Sequence, residues 1–180
     1  MHEHDAGHAR RYGRPDGWRA GERQVGRTAE LSRVPMGMRR AAILGAVLNF
    51  TWEMLQMPLY RGMQQKPLWI AALICLEATI ADLVILFAAY WLIAWRKRTW
   101  HWMPTMQSRD MLRFTMIALA ISTAIELIAT KVFHRYAYNS RMPIVPVLDI
   151  GVTPLLQWVL LPPVVLLLAR YTGKKHVKFL

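Results

Sequence analysis

The chain has a single cysteine, Cys75, which excludes an intramolecular disulfide and any metal site built on several thiolates. Acidic residues are also scarce, 11 Asp and Glu against 23 Lys and Arg, and the formal net charge is +12. Histidine is missing from the interior of every long apolar run, which removes a bis-His haem. No Glu-x-x-His pair occurs, the motif that builds di-metal carboxylate centres in helical bundles. His134 is the one histidine near the buried acids discussed below, and no Ser–His–Asp or Cys–His nucleophile set is visible. Neither a metal nor a cofactor is expected.

What is abundant is hydrocarbon. Hydrophobic residues make up 54% of the chain, with a mean hydropathy of +0.19. That average hides two unlike parts. Residues 1–40 hold 9 Arg and 5 acids without apolar periodicity, and are expected to form a disordered, basic cytoplasmic tail. Met36 and Met38 are alternative starts that would remove most of it. Beyond it lie four apolar runs, about 41–60, 67–95, 111–133 and 150–171, followed by a basic end over 172–180. The first run is longer than the core of a signal peptide and lacks a small-x-small exit, so it reads as a retained span. The fold class expected is all-α, a polytopic four-transmembrane-helix bundle. Ser108 is a plausible cap for the third helix, and the Pro162-Pro163 pair is expected to kink or break the fourth.

Lys and Arg are distributed unevenly: 9 in the tail, 2 in the first loop, 5 in the second, 3 in the third and 4 at the C-terminal end. Alternate segments thus hold 18 of 23, which puts both termini in the cytoplasm of a bacterial inner-membrane, multi-pass protein. Basic residues that flank apolar spans answer to anionic lipid and topology, so nucleic acid is not expected as a partner. Membrane lipids are, and a homodimer or a membrane-complex partner is open.

Each span carries polar residues that hydrocarbon disfavours. A charged side chain at a helix centre costs roughly 2.5–3.5 kcal/mol on insertion scales, which makes such residues candidates for a site. Glu53 precedes Tyr60 by seven residues, Glu77 follows Trp69 by eight, Glu126 precedes Phe133 by seven and Gln157 follows Ile150 by seven. At 1.5 Å per residue, all four fall about 10–12 Å below the outer face, with Asp82 deeper. Asn49, Glu53 and Gln56 form one helical stripe, Ser122, Thr123, Glu126 and Thr130 a second, and Asp149, Thr153 and Gln157 a third. Glu77 and Asp82 are turned apart by about 140°, so one faces the cavity and the other a neighbouring helix or second subunit. Three carboxyls in one layer cannot all ionise cheaply. At least one must be protonated, metal-bound or paired with Arg135 or Lys131 from the third loop. That loop, with His134, Tyr136, Tyr138, Asn139 and Arg141, would roof the layer together with Tyr60 and Arg61. The plainer reading of Asn49, Gln56, Ser122 and Thr153 is interhelical hydrogen bonding.

The run Asn49-Phe-Thr-Trp52-Glu53-Met-Leu-Gln56-Met-Pro58-Leu-Tyr60, then Asp82, Glu126, Tyr138, Met142-Pro143 and Gly151-Val-Thr-Pro154-Leu-Leu-Gln157-Trp158, resembles a group of bacterial four-span integral membrane proteins without an established activity. The resemblance covers about residues 41–170 and implies a shared architecture, not a mechanism. In that group Gly precedes the span-two aspartate and Trp stands at the position of Tyr136, whereas this chain has Ala81 and Tyr136. A looser similarity, in architecture only, is to the four-span sterol isomerase and sigma-2 receptor class.

The expectation that follows is a carboxylate-lined intramembrane cavity open to the outer leaflet, binding or acting on a lipid- or isoprenoid-like ligand. Glu53 and Glu126 are the acid/base candidates. Asn49, Gln56, Glu77, Asp82, Arg135, Tyr138 and Gln157 are the candidate cavity and ligand-binding residues. Two alternatives come from other classes: a proton- or ion-coupled small transporter, and a non-catalytic accessory subunit of a membrane complex.

Overall fold

The computed structural model describes the backbone of residues 36–176 and the side chains of residues 36–171. Most of the tail expected to be disordered, residues 1–35, and the last part of the basic end lie outside the described residues. Four long helices make up most of the described chain: α1 (Met36–Gln56), α2 (Leu68–Lys97), α3 (Ser108–Leu127) and α4 (Val152–His176). A π-helical turn, Ile128–Val132, extends α3. Two short strands, β1 (Ile144–Val145) and β2 (Ile150–Gly151), pair antiparallel just before α4.

The helix ends have local causes. α1 starts inside the segment expected to be tail and stops at Gln56, four residues short of the expected Tyr60. Pro58 forces a tighter 3₁₀ turn over Met57–Leu59, because the residue before a proline is disfavoured in helix. α2 closes with Arg98 in the left-handed region (φ 53°), after Arg96 and Lys97 in its last turn, where cations favour the helix dipole. The cap of α3 is Gln107 rather than Ser108: Gln107 and Asp110 form a reciprocal capping box. α4 runs through Pro162-Pro163 without a break, against the expectation of an interruption. Neighbouring helices in membrane proteins commonly make such prolines tolerable.

Three helices are long and apolar enough to cross a membrane: α2 (mean hydropathy 2.3), α3 through Val132 (1.7) and α4 (2.0). α1 is not among them, although its 21 residues make a rod about 31 Å long. Arg39, Arg40, Asn49, Glu53 and Gln56 lower its hydropathy.

α1 and α3 each pack against both α2 and α4, so α1 and α3 occupy one diagonal of a four-helix arrangement. Successive helices run in opposite directions. At one end, Lys97 pairs with Asp110 at 2.6 Å, the Arg170 guanidinium donates to the Met106 carbonyl at 3.0 Å, and the Tyr90 hydroxyl donates to the Trp100 carbonyl at 2.5 Å. Between them lies an apolar core around Ala89, Tyr90, Trp102, Phe114, Ala118, Trp158 and Leu166. Outward faces are studded with exposed Ile43, Val47, Ile80, Val84, Phe87, Leu112, Val164 and Leu167. Apolar groups on the outside and polar groups inside, at the other end of the bundle, fit a surface solvated by lipid.

Candidate functional site

The polar end of the bundle is assembled from side chains on all four helices. Gln157 of α4 is its hub, only 2% exposed. Its amide nitrogen donates to Asn49 Oδ1 of α1 at 2.9 Å and to Asp82 Oδ2 of α2 at 2.8 Å. Its carbonyl oxygen accepts from Gln56 Nε2 at 3.4 Å. Gln56 Nε2 also donates to Glu53 Oε1 at 2.8 Å. Asn49 Nδ2 turns the other way, to the Gly45 carbonyl at 2.7 Å.

Trp52 sets the direction of this chain. Its indole N–H, which can only donate, bonds Gln56 Oε1 at 3.1 Å. The Gln56 amide is therefore oriented with nitrogen toward Glu53 and Gln157. The Gln157 amide must in turn present oxygen to Gln56 and nitrogen to Asn49 and Asp82. Donors run one way, from Trp52 through two amides to two carboxyls, and both Gln nitrogens have their hydrogens engaged.

Glu126 of α3 completes the acid set from above. The Tyr136 and Tyr138 hydroxyls donate to its two carboxylate oxygens, one to each. The π turn that follows widens the helix there, and Thr130 Oγ1 caps the Glu126 carbonyl at 2.7 Å. Tyr60 closes the roof: its ring lies 5.4 Å from that of Tyr136, edge on, and 5.7 Å from that of Tyr138. The two connections that carry these rings are sewn together by Arg61 N–H to the Ala137 carbonyl (2.9 Å) and Asn139 N–H to the Leu59 carbonyl (3.0 Å). Asn139 Nδ2 adds a bond to the Pro58 carbonyl at 2.7 Å. Burial first, and then the Glu126 carboxyl beside them, push the Tyr136 and Tyr138 phenols above the ordinary tyrosine range.

Two glycines make the fit possible. A Cβ on Gly151 would lie 3.0 Å from Met142 Sδ and 3.1 Å from Tyr138 Cε1, so a larger residue would press on the ring that leans in toward Glu126. A Cβ on Gly45 would lie 2.9 Å from Leu86 Cδ1, so this position sets how closely α1 approaches α2 below Asn49.

The structure therefore brings together Asn49, Glu53, Gln56, Asp82, Glu126, Tyr138 and Gln157. It places Glu77 and Arg135 elsewhere. They form an ion pair with each other on the outside of the bundle, each side chain 63% exposed. The phase difference between Glu77 and Asp82 is resolved with Asp82 inside. Lys131 pairs with Asp149, also on the outside. Neither cation of the third loop reaches the buried acids, and Thr153 turns to Met142 Sδ (3.2 Å) instead of the interior. Among the described residues, Glu53, Asp82 and Glu126 have no ion-pair partner, and no group of three or more His, Cys, Asp and Glu side chains is placed to hold a metal. Tyr136 and Tyr60, expected in the roof over the acid layer, stand there: Tyr136 bonds Glu126 and the Tyr60 ring packs on that of Tyr136. Trp52 carried a signal, being four residues from Gln56 on one helical face.

Chemically, this is a layer of three carboxyls from three helices, bonded by amides and phenols alone. It can accept hydrogen bonds, take up or give up a proton, and recognise a donor-bearing group. No protein-family model matches the chain, and neither the curated proteins nor the solved structures compared with it contain a match.

Proposed function

We propose that the chain is a four-span protein of the bacterial inner membrane, both termini cytoplasmic, whose acid core takes a lipid- or isoprenoid-like ligand from the outer leaflet. The observation that carries this reading is the set Glu53, Asp82 and Glu126: three carboxyls from three helices, two in the glutamine network and one under the tyrosines, with no basic partner among the described residues. A purely structural polar layer is built more cheaply from amides and hydroxyls, because buried carboxyls carry a larger desolvation cost. Counting α1 as a span rests on its length and on its packing along α2 and α4, with its polar stripe turned inward. It also returns both basic ends to one side, as the Lys and Arg distribution requires. Reporter fusions at both ends should be active only in the cytoplasm.

In this reading Glu53 and Glu126 are the groups that exchange protons with the ligand, and Tyr60, Tyr136 and Tyr138 form the lid above them. Arg135 is tied to Glu77 outside, so the ligand's polar end is recognised by carboxyls and phenols. The test is photolabelling with a long-chain alcohol that carries a diazirine, added to membranes from the outer side. Labelling should concentrate on the peptides that contain Tyr60 and Tyr136–Tyr138, and Glu53→Gln should abolish that concentration while leaving the melting temperature close to wild type. Label spread evenly over the exposed apolar faces would refute the reading. Loss of stability in Glu53→Gln with no change in labelling would favour an accessory subunit whose polar layer only fixes helix register.

A further inference from the structure

A second feature runs from the middle of the bundle toward its basic end. An open groove of about 350 Å³ is walled by Met38 and Ala42 of α1 and Leu83, Phe87 and Tyr90 of α2, with Phe114 of α3 and Leu166 of α4 also lining it. That volume is at the lower end of ligand pockets. The one polar atom in this group, the Tyr90 hydroxyl, is turned away and spent on the Trp100 carbonyl at 2.5 Å. No polar group is left over to recognise a polar ligand inside, and the open side is bordered by exposed Ile80, Val84 and Phe87. Such a groove takes a hydrocarbon chain.

The end of the groove has a different chemistry. Arg39 follows Met38 directly on α1 and is exposed. Arg98 caps α2 eleven residues after Phe87 and is also exposed. Neither forms an ion pair with any described residue, in contrast to Lys97 and Arg113, which are drawn to Asp110. Trp91 and Trp95 stack at 6.2 Å on the flank between the groove and Arg98. Exposed tryptophans at this position mark the level of lipid headgroups.

We infer that the α1–α2 groove is a binding site for an anionic phospholipid of the cytoplasmic leaflet, with one acyl chain in the groove and its phosphate held by Arg39 and Arg98. Two independent features lie along the same two helices, a dry chain-sized channel and, toward the basic end beyond it, two exposed guanidiniums with no ion-pair partner among the described residues. The forked guanidinium suits phosphate oxygens. The site shares no side chain with the acid core, so each stands or falls alone.

The experiment uses the full chain in nanodiscs of phosphatidylcholine with a minor fraction of phosphatidylglycerol of identical acyl chains, extracted into mild detergent and weighed by native mass spectrometry. Wild type should retain one phosphatidylglycerol in preference to phosphatidylcholine. Arg39→Gln/Arg98→Gln should lower that preference about thirtyfold, since each of the two basic side chains near a headgroup is worth on the order of one kcal/mol. Ala42→Trp, which fills the groove from its exposed side, should remove the bound lipid while leaving both arginines in place. Circular dichroism and melting temperature confirm that both variants fold, and Ala42→Leu serves as a milder filler if the larger ring disturbs α1. Retention of the lipid by the groove-filled variants would overturn the acyl-chain site. An unchanged preference in the double arginine variant would overturn the headgroup assignment. Equal retention of the two lipids by wild type would overturn the headgroup assignment, and retention of neither would overturn both.

Discussion

Gln157→Leu tests the polar core at its hub. Leucine matches glutamine closely in volume, so no cavity term enters and the loss is one of hydrogen bonding. The substitution removes the bonds to Asn49 Oδ1 (2.9 Å) and Asp82 Oδ2 (2.8 Å), while the 3.4 Å contact with Gln56 is too long to add much. Interhelical hydrogen bonds in membranes average about 0.6 kcal/mol, so the two good bonds account for about 1.2 kcal/mol. Their loss also strands two buried acceptors, and a buried group without a partner costs about 1–3 kcal/mol. With both acceptors counted, the expected destabilisation is therefore about 3–7 kcal/mol. It is read from unfolding in mixed micelles with rising dodecyl sulfate. Combining Gln157→Leu with Asn49→Val completes a double-mutant cycle, and the coupling should be about 0.6 kcal/mol or more. A loss under about 0.5 kcal/mol for Gln157→Leu, together with additivity in the cycle, would refute the claim that Gln157 ties α1, α2 and α4 together.

Three further outcomes follow from the same geometry. The phenols of Tyr136 and Tyr138 titrate above the ordinary range in the folded chain, so above about pH 10 the unfolded chain releases protons that the fold retains, and stability falls as pH rises; Tyr136→Phe/Tyr138→Phe should flatten that alkaline loss and remove the latest step of a spectrophotometric titration. Gly151→Ala should displace Tyr138, and with it the bond to Glu126, at a cost of about 1–3 kcal/mol from overpacking; ultraviolet resonance Raman of the tyrosine bands reports whether the phenol is still bonded. Asp110→Ala removes both the Lys97 contact at 2.6 Å and the capping bond from the Gln107 N–H at 3.0 Å, so thermal unfolding should show a loss of about 2 kcal/mol.

The helices were legible in the sequence because apolar runs of this length leave the chain few other ways to satisfy its backbone in lipid. The stripe Asn49, Glu53, Gln56 was legible from spacing alone, and so was the fact that Glu77 and Asp82 cannot share a face. Which of the two turns inward was not, since that depends on how α2 is rotated against α1 and α4. A Cβ at Gly45 would press on Leu86 and Leu83 of α2, so this is one point where the two helices pack. The third loop was the hardest part. Charge suggested that Arg135 and Lys131 would answer the buried acids, yet long basic side chains reach outward and pair at the rim, while the shorter, less costly phenols of Tyr136 and Tyr138 turn in. The ends of α1 were misplaced because Arg39 and Arg40 suggest a tail, whereas the helix includes them and stops early at Pro58.

The central claim is that the acid core holds a ligand, and lipid mass spectrometry of the chain purified in mild detergent tests it most directly. Wild type should carry an outer-leaflet amphiphile near one per chain. That occupancy should be lost in Glu53→Gln and retained in Ala42→Trp, whose change lies in the apolar groove and touches none of the acid-core side chains. No retained amphiphile in wild type, or equal occupancy in wild type and Glu53→Gln at equal stability, would contradict the account.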